Sequence, residues 1–386
     1  MMLMSIIKRT QLLIIGAGPY GLAAARLAKI RGLDYHVSGL CMSFWKQHMP
    51  AGMKLRTHCD WGKGSELEHF LQQRQLTFGQ ISPVPREFFI DFVETTAKSQ
   101  QLNWTPEQVV QVNYEQNIFK CMMGNGDVIC AQNLLVATGY YDYRFIPSEL
   151  AAMFPEELCT HTADCGDFSQ FANQRCLITG GRQSAFETAA LLTSHAASVE
   201  LVYRHARPEF ARSDWSWTDK YMELTRTQPG WWREHPAGEK NVINQRFWHD
   251  GRLQLEDWLE QPVSHKKITH YPDTTINGSV QQADGALQVS LSGDQKIIVD
   301  QVICATGYCP NVQKIPFLGA GNILNRMEIN NGLPALSDAL ESNISGLYFT
   351  GIHAVNDFGP FLFFVAGSTA SAEIIINNIA THVNKI

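Results

Sequence analysis

Hydrophobic residues along this chain fall into two rhythms. Gln11-Leu12-Leu13-Ile14-Ile15 is a near-continuous apolar run, the pattern of a parallel strand buried on both faces. Past residue 19 the spacing changes. Leu22, Ala23, Leu27 and Ile30 recur at helical intervals, which predicts a helix over 19–31 with Gly32 as its stop. Residues 35–38 then read as a second strand, closing a strand–helix–strand unit. Residues 108–136 read as a β-meander. Its Asn125-Gly126 pair is a hairpin signal in which both central positions favour φ > 0.

The pattern then restarts. Cys176 to Thr179 reads as a strand, Gly180-Gly181 as a turn, Ser184 to Leu192 as a helix and Val199 to Tyr203 as the next strand. Leu287 to Val299 reads as a hairpin around Ser292-Gly293-Asp294. The sequence Ala-Thr-Gly-Tyr occurs twice, at 137–140 and 305–308, each time after a hairpin and an apolar strand. Two related α/β units of Rossmann type are therefore expected, the second inserted into the first. Between them in the second unit lies a segment, 208–265, with six of the nine tryptophans (Trp215, Trp217, Trp231, Trp232, Trp248 and Trp258). It reads as a long, poorly regular insert, serving either as an anchor onto the body or as a wall over a site.

The turns carry the chemistry. Gly16-Ala17-Gly18-Pro19-Tyr20-Gly21 is G-x-G-x-x-G between a strand and a helix. The first glycine permits the tight turn, the second lets backbone approach a pyrophosphate, and the third allows close helix–strand packing. This predicts a dinucleotide site. The acidic residue that ordinarily ends the second strand and grips the ribose is absent; Ser38-Gly39 stands there, so Ser38, backbone or water is expected to take that role. The second loop, Gly180-Gly181-Arg182-Gln183-Ser184-Ala185, has Arg182 where the second glycine belongs. Arg182 either folds over phosphates as a clamp or marks a decayed site. Arg204 and Arg207, beside His205 after the next strand, suit a 2′-phosphate and hence NADPH over NADH.

Composition changes this picture little. The chain has 386 residues, is 45% hydrophobic and carries a net charge of −6, so no basic footprint for nucleic acid exists. No apolar run is long enough to predict a membrane span. Lys8 and Arg9 break the first apolar stretch, so a signal peptide is not expected. Nine cysteines occur without any C-x-x-C, which favours free thiols and a reducing cytoplasm. Cys304 and Cys309 are read as packing residues rather than a redox pair.

On these motifs the chain resembles the class B flavin-dependent monooxygenases, within the wider group of two-dinucleotide flavoproteins. The resemblance rests on Gly16 to Gly21, the Gly180 to Ala185 loop with Gln183-Ser184-Ala185, Cys304-Ala305-Thr306-Gly307-Tyr308 and Gly346-Leu347-Tyr348-Phe349-Thr350-Gly351. It implies an FAD domain from 1–155 and 311–386 and an NADPH domain from 156–310 with the insert 208–265. It places FAD against Gly16, Gly18, Pro19, Tyr20, Gly21, Ser38, Trp45, Thr138, Gly139, Gly351 and Phe361, and counts Thr306 and Gly307 among the cofactor contacts. NADPH is placed against Gly180, Arg182, Gln183, Ser184, Arg204 and Arg207. It also implies NADPH-dependent flavin reduction, then oxygenation of a small molecule by O2 through a C4a-hydroperoxyflavin, at nitrogen or sulfur.

The stretch Trp45 to Trp61 resembles the family segment that passes the flavin ring. There His58 falls where N-oxygenating members carry an Asn, and Arg56 is a candidate for a phosphate or substrate anion. Phe358-Gly359-Pro360 is expected to start the last helix. Two other readings stay open. One is a flavin oxidase, halogenase-like enzyme or NADPH-dependent reductase. The other is a non-catalytic or electron-relay flavoprotein with a degenerate NADPH site. A homodimer is left open.

Overall fold

The structure is a computed structural model describing residues 7–56, 66–212 and 214–383. Its first sheet has seven strands. β1 (Ile7–Ile15) is central and pairs in parallel with β2 (Tyr35–Ser38), with α1 (Pro19–Ile30) between them. Leu12, Leu13 and Ile14 are fully buried, as a two-sided parallel strand requires. After β2 come α2 (Ser43–Gln47), a short pair β3 (Lys54–Leu55) and β4 (Val84–Pro85), and the helices α3 (Glu66–Gln73) and α4 (Arg86–Ser99). β5 (Trp104–Thr105) then caps the sheet edge beyond β2.

The predicted meander is β6 (Val109–Glu115), β7 (Ile118–Met123) and β8 (Val128–Val136), antiparallel to one another, with β8 lying parallel to β1. Its turn differs from expectation in one respect. Gly126 has φ +90, but Asn125 does not take a positive φ; its side-chain oxygen instead accepts the Asp127 N–H at 2.9 Å. The local side-chain bond replaces the left-handed conformation that the first turn position was expected to need.

The second sheet lies wholly within the interval between β8 and the last strand of the first sheet. It is five-stranded and all parallel. β9 (Cys159–His161), β10 (Arg175–Thr179), β11 (Ser198–Val202), β12 (Ile268–Tyr271) and a later strand, 301–304, lie in the order β12, β11, β10, 301–304, β9. α5 (Ser148–Ala151) precedes it, and α6 (Gln183–Leu192) follows the second glycine loop. A three-stranded layer, β13 (Ile276–Gln281), β14 (Leu287–Leu291) and β15 (Lys296–Val299), covers one face before β16, the 301–304 strand. The chain then returns through α10 (Pro316–Gly319), a small hairpin of β17 (Ile329–Asn330) and β18 (Leu333–Pro334), and β19 (Leu347–Phe349), which pairs with β8.

The Trp-rich insert is more regular than its sequence predicts. It forms α7 (Asp219–Thr227), α8 (Trp231–Glu234), α9 (Ala237–Trp248) and a π-helical turn at His249–Leu253. It clamps onto the C-terminal part of the first unit. Trp231, Trp232 and Ile243 bury Phe361 completely, and Arg233 pairs with Asp338 and Asp357. Two further expectations change here. Pro360 begins only a short 3-10 turn, Gly359–Phe363, while the last helix, α12 (Gly367–Val383), starts after it; α11 (Val355–Phe358) precedes both. Phe361, expected at the flavin, is instead the core of the insert's docking face.

Candidate functional site

The first loop opens into a cleft. Gly16 to Tyr20 form one wall, Met42 to Trp45 a second, and Ala137 to Tyr140 with Thr350 to Ile352, Phe363 and Val365 the remainder. The loop is built so that only glycine fits. Gly16 has φ +116, and a methyl there would overlap the Ala137 carbonyl; a methyl on Gly21 would overlap the Gly16 carbonyl oxygen. Gly18, by contrast, has open space where a Cβ would go, and it caps α1 without a side-chain bond. The helix N-terminus thus faces the cleft with its own N–H groups available. Pro19 takes the first helical position, where its missing N–H costs nothing.

The far wall has a second feature suited to a ligand. Thr350 Oγ1 is buried with no partner in the protein, and it lines the cleft. A buried hydroxyl without a partner costs about 1–3 kcal/mol unless a bound group supplies one. Together with the open space at Gly18 and the free helix end, this fits an elongated ligand with a phosphate at the loop. Trp45 packs edge-on against Phe89 at 4.7 Å and also lines the cleft. Thr138, Gly139 and Gly351 also line it, as expected. Thr350, Phe44 and Tyr140 were missed by sequence reasoning. Thr350 adjoined the recognised Gly351 but carried no signal of its own.

Tyr20 does more than follow the loop. Its hydroxyl reaches the carbonyl oxygens of Leu362 and Phe364, and burial holds its pKa well above the usual phenol range, so it stays a donor. The first loop is thereby tied to the segment before the last helix. Tyr140 donates to the Phe363 carbonyl at 3.0 Å and is likewise kept protonated by burial. No cysteine lines the cleft among the described residues. The nearest in sequence, Cys41, has its thiol pushed up to about 11, first by burial and then by Glu94.

Several predicted contacts take other roles. Ser38 is almost fully buried and donates to the Glu107 carbonyl at 2.6 Å, so its hydroxyl proton is not available to a ribose. Arg56 is an internal strut. It donates to Glu256 at 3.1 Å and to the carbonyls of Asp250, Gly251 and Gln254 at 2.9, 2.8 and 3.2 Å. Its guanidinium closes off the π-helical turn of the insert, and Arg56 is not among the residues that line the cleft. His58 lies outside the described residues. Thr306 donates to the Phe145 carbonyl and Gly307 has φ +78, so this pair shapes the return between the two units rather than the cleft. His161 fixes the same return. Its Nδ1 accepts the Ala163 N–H at 3.1 Å, so Nε2 carries the proton and donates to the Gly307 carbonyl at 2.9 Å.

The second loop is shaped differently. Gly180 has φ +145 and packs on the Ala305 carbonyl, the counterpart of Gly16 on Ala137. Over Gly181, however, lies the imidazole of His205, one ring nitrogen 2.9 Å from the Gly181 carbonyl. Arg182 caps α6 without a side-chain bond to it. Its guanidinium turns toward the insert, donating to the Arg252 carbonyl at 3.1 Å and lying 5.2 Å from the Trp248 ring. As the structure stands, Arg182 is therefore a link to the insert, not a clamp already closed over the loop. Gln183 accepts the Glu256 N–H at 3.2 Å, again tying loop to insert. Arg207 stands over Phe210 at 5.8 Å. Below the loop Glu187 is buried, with its pKa raised to about 7, chiefly by burial; it accepts the Lys54 N–H at 2.7 Å and so joins α6 to β3.

A parallel sheet ending in a glycine loop at a helix N-terminus, repeated in an inserted second sheet, defines a two-dinucleotide flavoprotein fold. A model of the pyridine nucleotide-disulphide oxidoreductases matches residues 13–227, and the chain belongs to that family of flavin oxidoreductases, which use FAD and NADP(H). An oxidoreductase of Geobacillus kaustophilus (strain HTA426), described as uncharacterized and CzcO-like, is 26% identical over 281 residues, 71% of this chain and 72% of its own. Among solved structures, the bacillithiol disulfide reductase Bdr from Staphylococcus aureus superposes with a TM-score of 0.68 at 20% identity, over 97% of this chain and 99% of its own. The ornithine N-hydroxylase KtzI of Kutzneria sp. 744 does so with a TM-score of 0.75 at 14% identity, over 97% and 100%. No described helix is long and apolar enough to cross a membrane.

Proposed function

We propose that this oxidoreductase is an NADPH- and O2-dependent monooxygenase of a small molecule, acting at nitrogen or sulfur. The observation that carries this reading is the character of the cleft wall. Phe44, Trp45, Tyr140 and Phe363 surround it, and no described thiol does. A disulfide reductase must pass electrons to sulfur beside its flavin. A monooxygenase instead needs a wall that excludes water while oxygen is transferred. The resemblance to N-hydroxylating enzymes supports the same choice.

FAD, when bound, supplies the redox and oxygen chemistry. The protein's own part is to hold and enclose it. Gly16, Gly18 and Gly21 with the α1 N-terminus take the pyrophosphate, Thr350 offers a hydroxyl to the chain of the cofactor, and the aromatic wall keeps water out. Tyr20 holds the wall segment 362–364 in place against the loop. NADPH is assigned to the second loop, with Arg204 and Arg207 toward its 2′-phosphate and His205 displaced from Gly181 when it enters. The domain limits that follow are 1–155 with 311–386 for FAD and 156–310 for NADPH.

The test is oxygen bookkeeping. The purified protein is expected to be yellow and to bleach with NADPH under anaerobiosis. In air, candidate amines and thioethers are expected to lower the hydrogen peroxide released per NADPH as oxygenated product forms. Stoichiometric peroxide with every candidate, together with turnover of a disulfide, would replace this reading with a reductase.

A further inference from the structure

The backbone of Thr350 is tied on both sides. Its N–H donates to the Val136 carbonyl at 3.3 Å, continuing the pairing of β19 with β8. Its carbonyl lies 2.8 Å from Nδ1 of His353, three residues on in the 3-10 turn Gly351–Ala354. A carbonyl only accepts, so Nδ1 carries the proton and donates to it. Between the two residues Gly351 turns the chain with φ +68. What is left of Thr350 is its hydroxyl, which is buried, unpartnered and on the cleft wall. With N–H and carbonyl both fixed, the Cα–Cβ direction is set, and the hydroxyl has only its few staggered positions to choose from.

His353 does not line the cleft and is fully buried. Its ring packs edge-on against Tyr143 at 5.7 Å and tilted against Phe349 at 5.5 Å. Burial lowers its pKa to about 4, with the Thr350 carbonyl acting in the opposite direction, so the ring is neutral at pH 7. Nε2 is then a bare acceptor, and it has no partner in the protein. A buried acceptor left bare is unfavourable. A phenyl ring would fill the same apolar space without that penalty. What the imidazole adds is one directed donor, spent on the Thr350 carbonyl.

We propose that His353 is a positioning residue: by holding the Thr350 carbonyl it aims the Thr350 hydroxyl into the cleft, ready to bond the cofactor. The proposal rests on the flavin reading of this cleft and adds the buried side chain that orders its unpartnered hydroxyl. His353 acts through Thr350, so the two residues form one unit, and removing either removes the same contact.

The experiment is a double-mutant cycle read as FAD affinity, from the rise of free-flavin fluorescence when the holoenzyme is diluted. Thr350→Val removes the hydroxyl and keeps the shape, and is expected to weaken FAD binding about tenfold. His353→Phe keeps a ring and removes the donor, with an expected loss of about threefold to tenfold. The double variant is expected to stay within about twofold of Thr350→Val, because residues acting on one contact are not additive. His353→Asn, whose amide N–H can stand where Nδ1–H stood, is expected to keep most of the native affinity. Losses that multiply in the double variant, or a His353→Phe protein that binds FAD as the native one does, overturn the proposal. Should His353→Phe fail to fold, His353→Asn decides: native affinity upholds the pairing, and binding about tenfold weaker with unchanged thermal unfolding overturns it. A native protein that takes up no FAD would sink the flavin reading itself, whereas multiplying losses with FAD bound sink only the pairing of His353 with Thr350.

Discussion

The two glycine loops share a plan and differ in what closes them. At the first, backbone meets backbone. Gly16 rests on the Ala137 carbonyl, Gly21 on the Gly16 carbonyl, and the space at Gly18 stays open. At the second, Gly180 repeats the backbone contact, but side chains do the rest. His205 covers Gly181, and Arg182 and Gln183 reach across to the insert. A site closed by backbone is present before any ligand arrives. A site covered by side chains must be opened, and its affinity includes the cost of opening it.

The sharpest way to break this contrast is to put a methyl into each loop. Gly21→Ala is expected to lose FAD altogether, at least a hundredfold in affinity, because the obstructing atom is the Gly16 carbonyl oxygen, which cannot move without distorting the glycine turn itself. Gly181→Ala meets only the His205 ring, which can rotate away, so it is expected to keep full flavin content. The ratio of flavin absorbance to protein absorbance decides; two variants with equal flavin would erase the distinction.

The insert roofs the second loop, and its docking is the next target. Phe361 is fully buried between Trp231, Trp232 and Phe247. Phe361→Ala is expected to cost about 3–5 kcal/mol in denaturant unfolding. Since Phe361 does not line the cleft, the folded fraction should keep its FAD; a loss below 1 kcal/mol would show that the insert is not bolted where described.

Glu187 gives a pH handle on the same region. Its carboxyl has a pKa of about 7 in the folded protein, against 4.5 for the ordinary group, so the folded state binds its proton more tightly. Its contribution is complete below pH 4.5 and is lost as pH rises through 7. Relative to Glu187→Gln, the native protein should lose up to about 3 kcal/mol between pH 4.5 and 8. Denaturation at the two pH values measures it, and parallel profiles for both proteins would remove Glu187 as the cause.

The smallest effect is expected at Arg182. Its guanidinium now serves the insert, so Arg182→Ala should raise the KM for NADPH by only about threefold to tenfold. An increase of a thousandfold would restore the phosphate clamp.

What the sequence made legible was local. Strand β1, the loop 16–21 and helix α1 stand within a residue or so of their expected ends at the loop, as do β10 and α6, because each is written in adjacent residues. The roles that changed depend on distant ones. Arg56 is held by residues about two hundred positions away, and His205 covers Gly181 from the turn after β11. The helices of the insert escaped notice for a similar reason. α9 buries Ile243 and packs Phe247 on Phe361 of another region, while most of its other residues are polar, so no long apolar stripe announced it. Ser38 had the right position for a ribose ligand, and only the Glu107 carbonyl beside it showed that its proton was spent.

The ion pairs of Arg233 with Asp338 and Asp357 have a mechanical consequence. They join a helix of the inserted unit to the returning part of the host unit, while Arg226 reaches Glu373 on the last helix. Exposed pairs of this kind are each worth at most about 1 kcal/mol, so they act as light stitches that favour the docked roof, and the side chains of His205 and Arg182 beneath it are the nearest groups a second nucleotide would have to move.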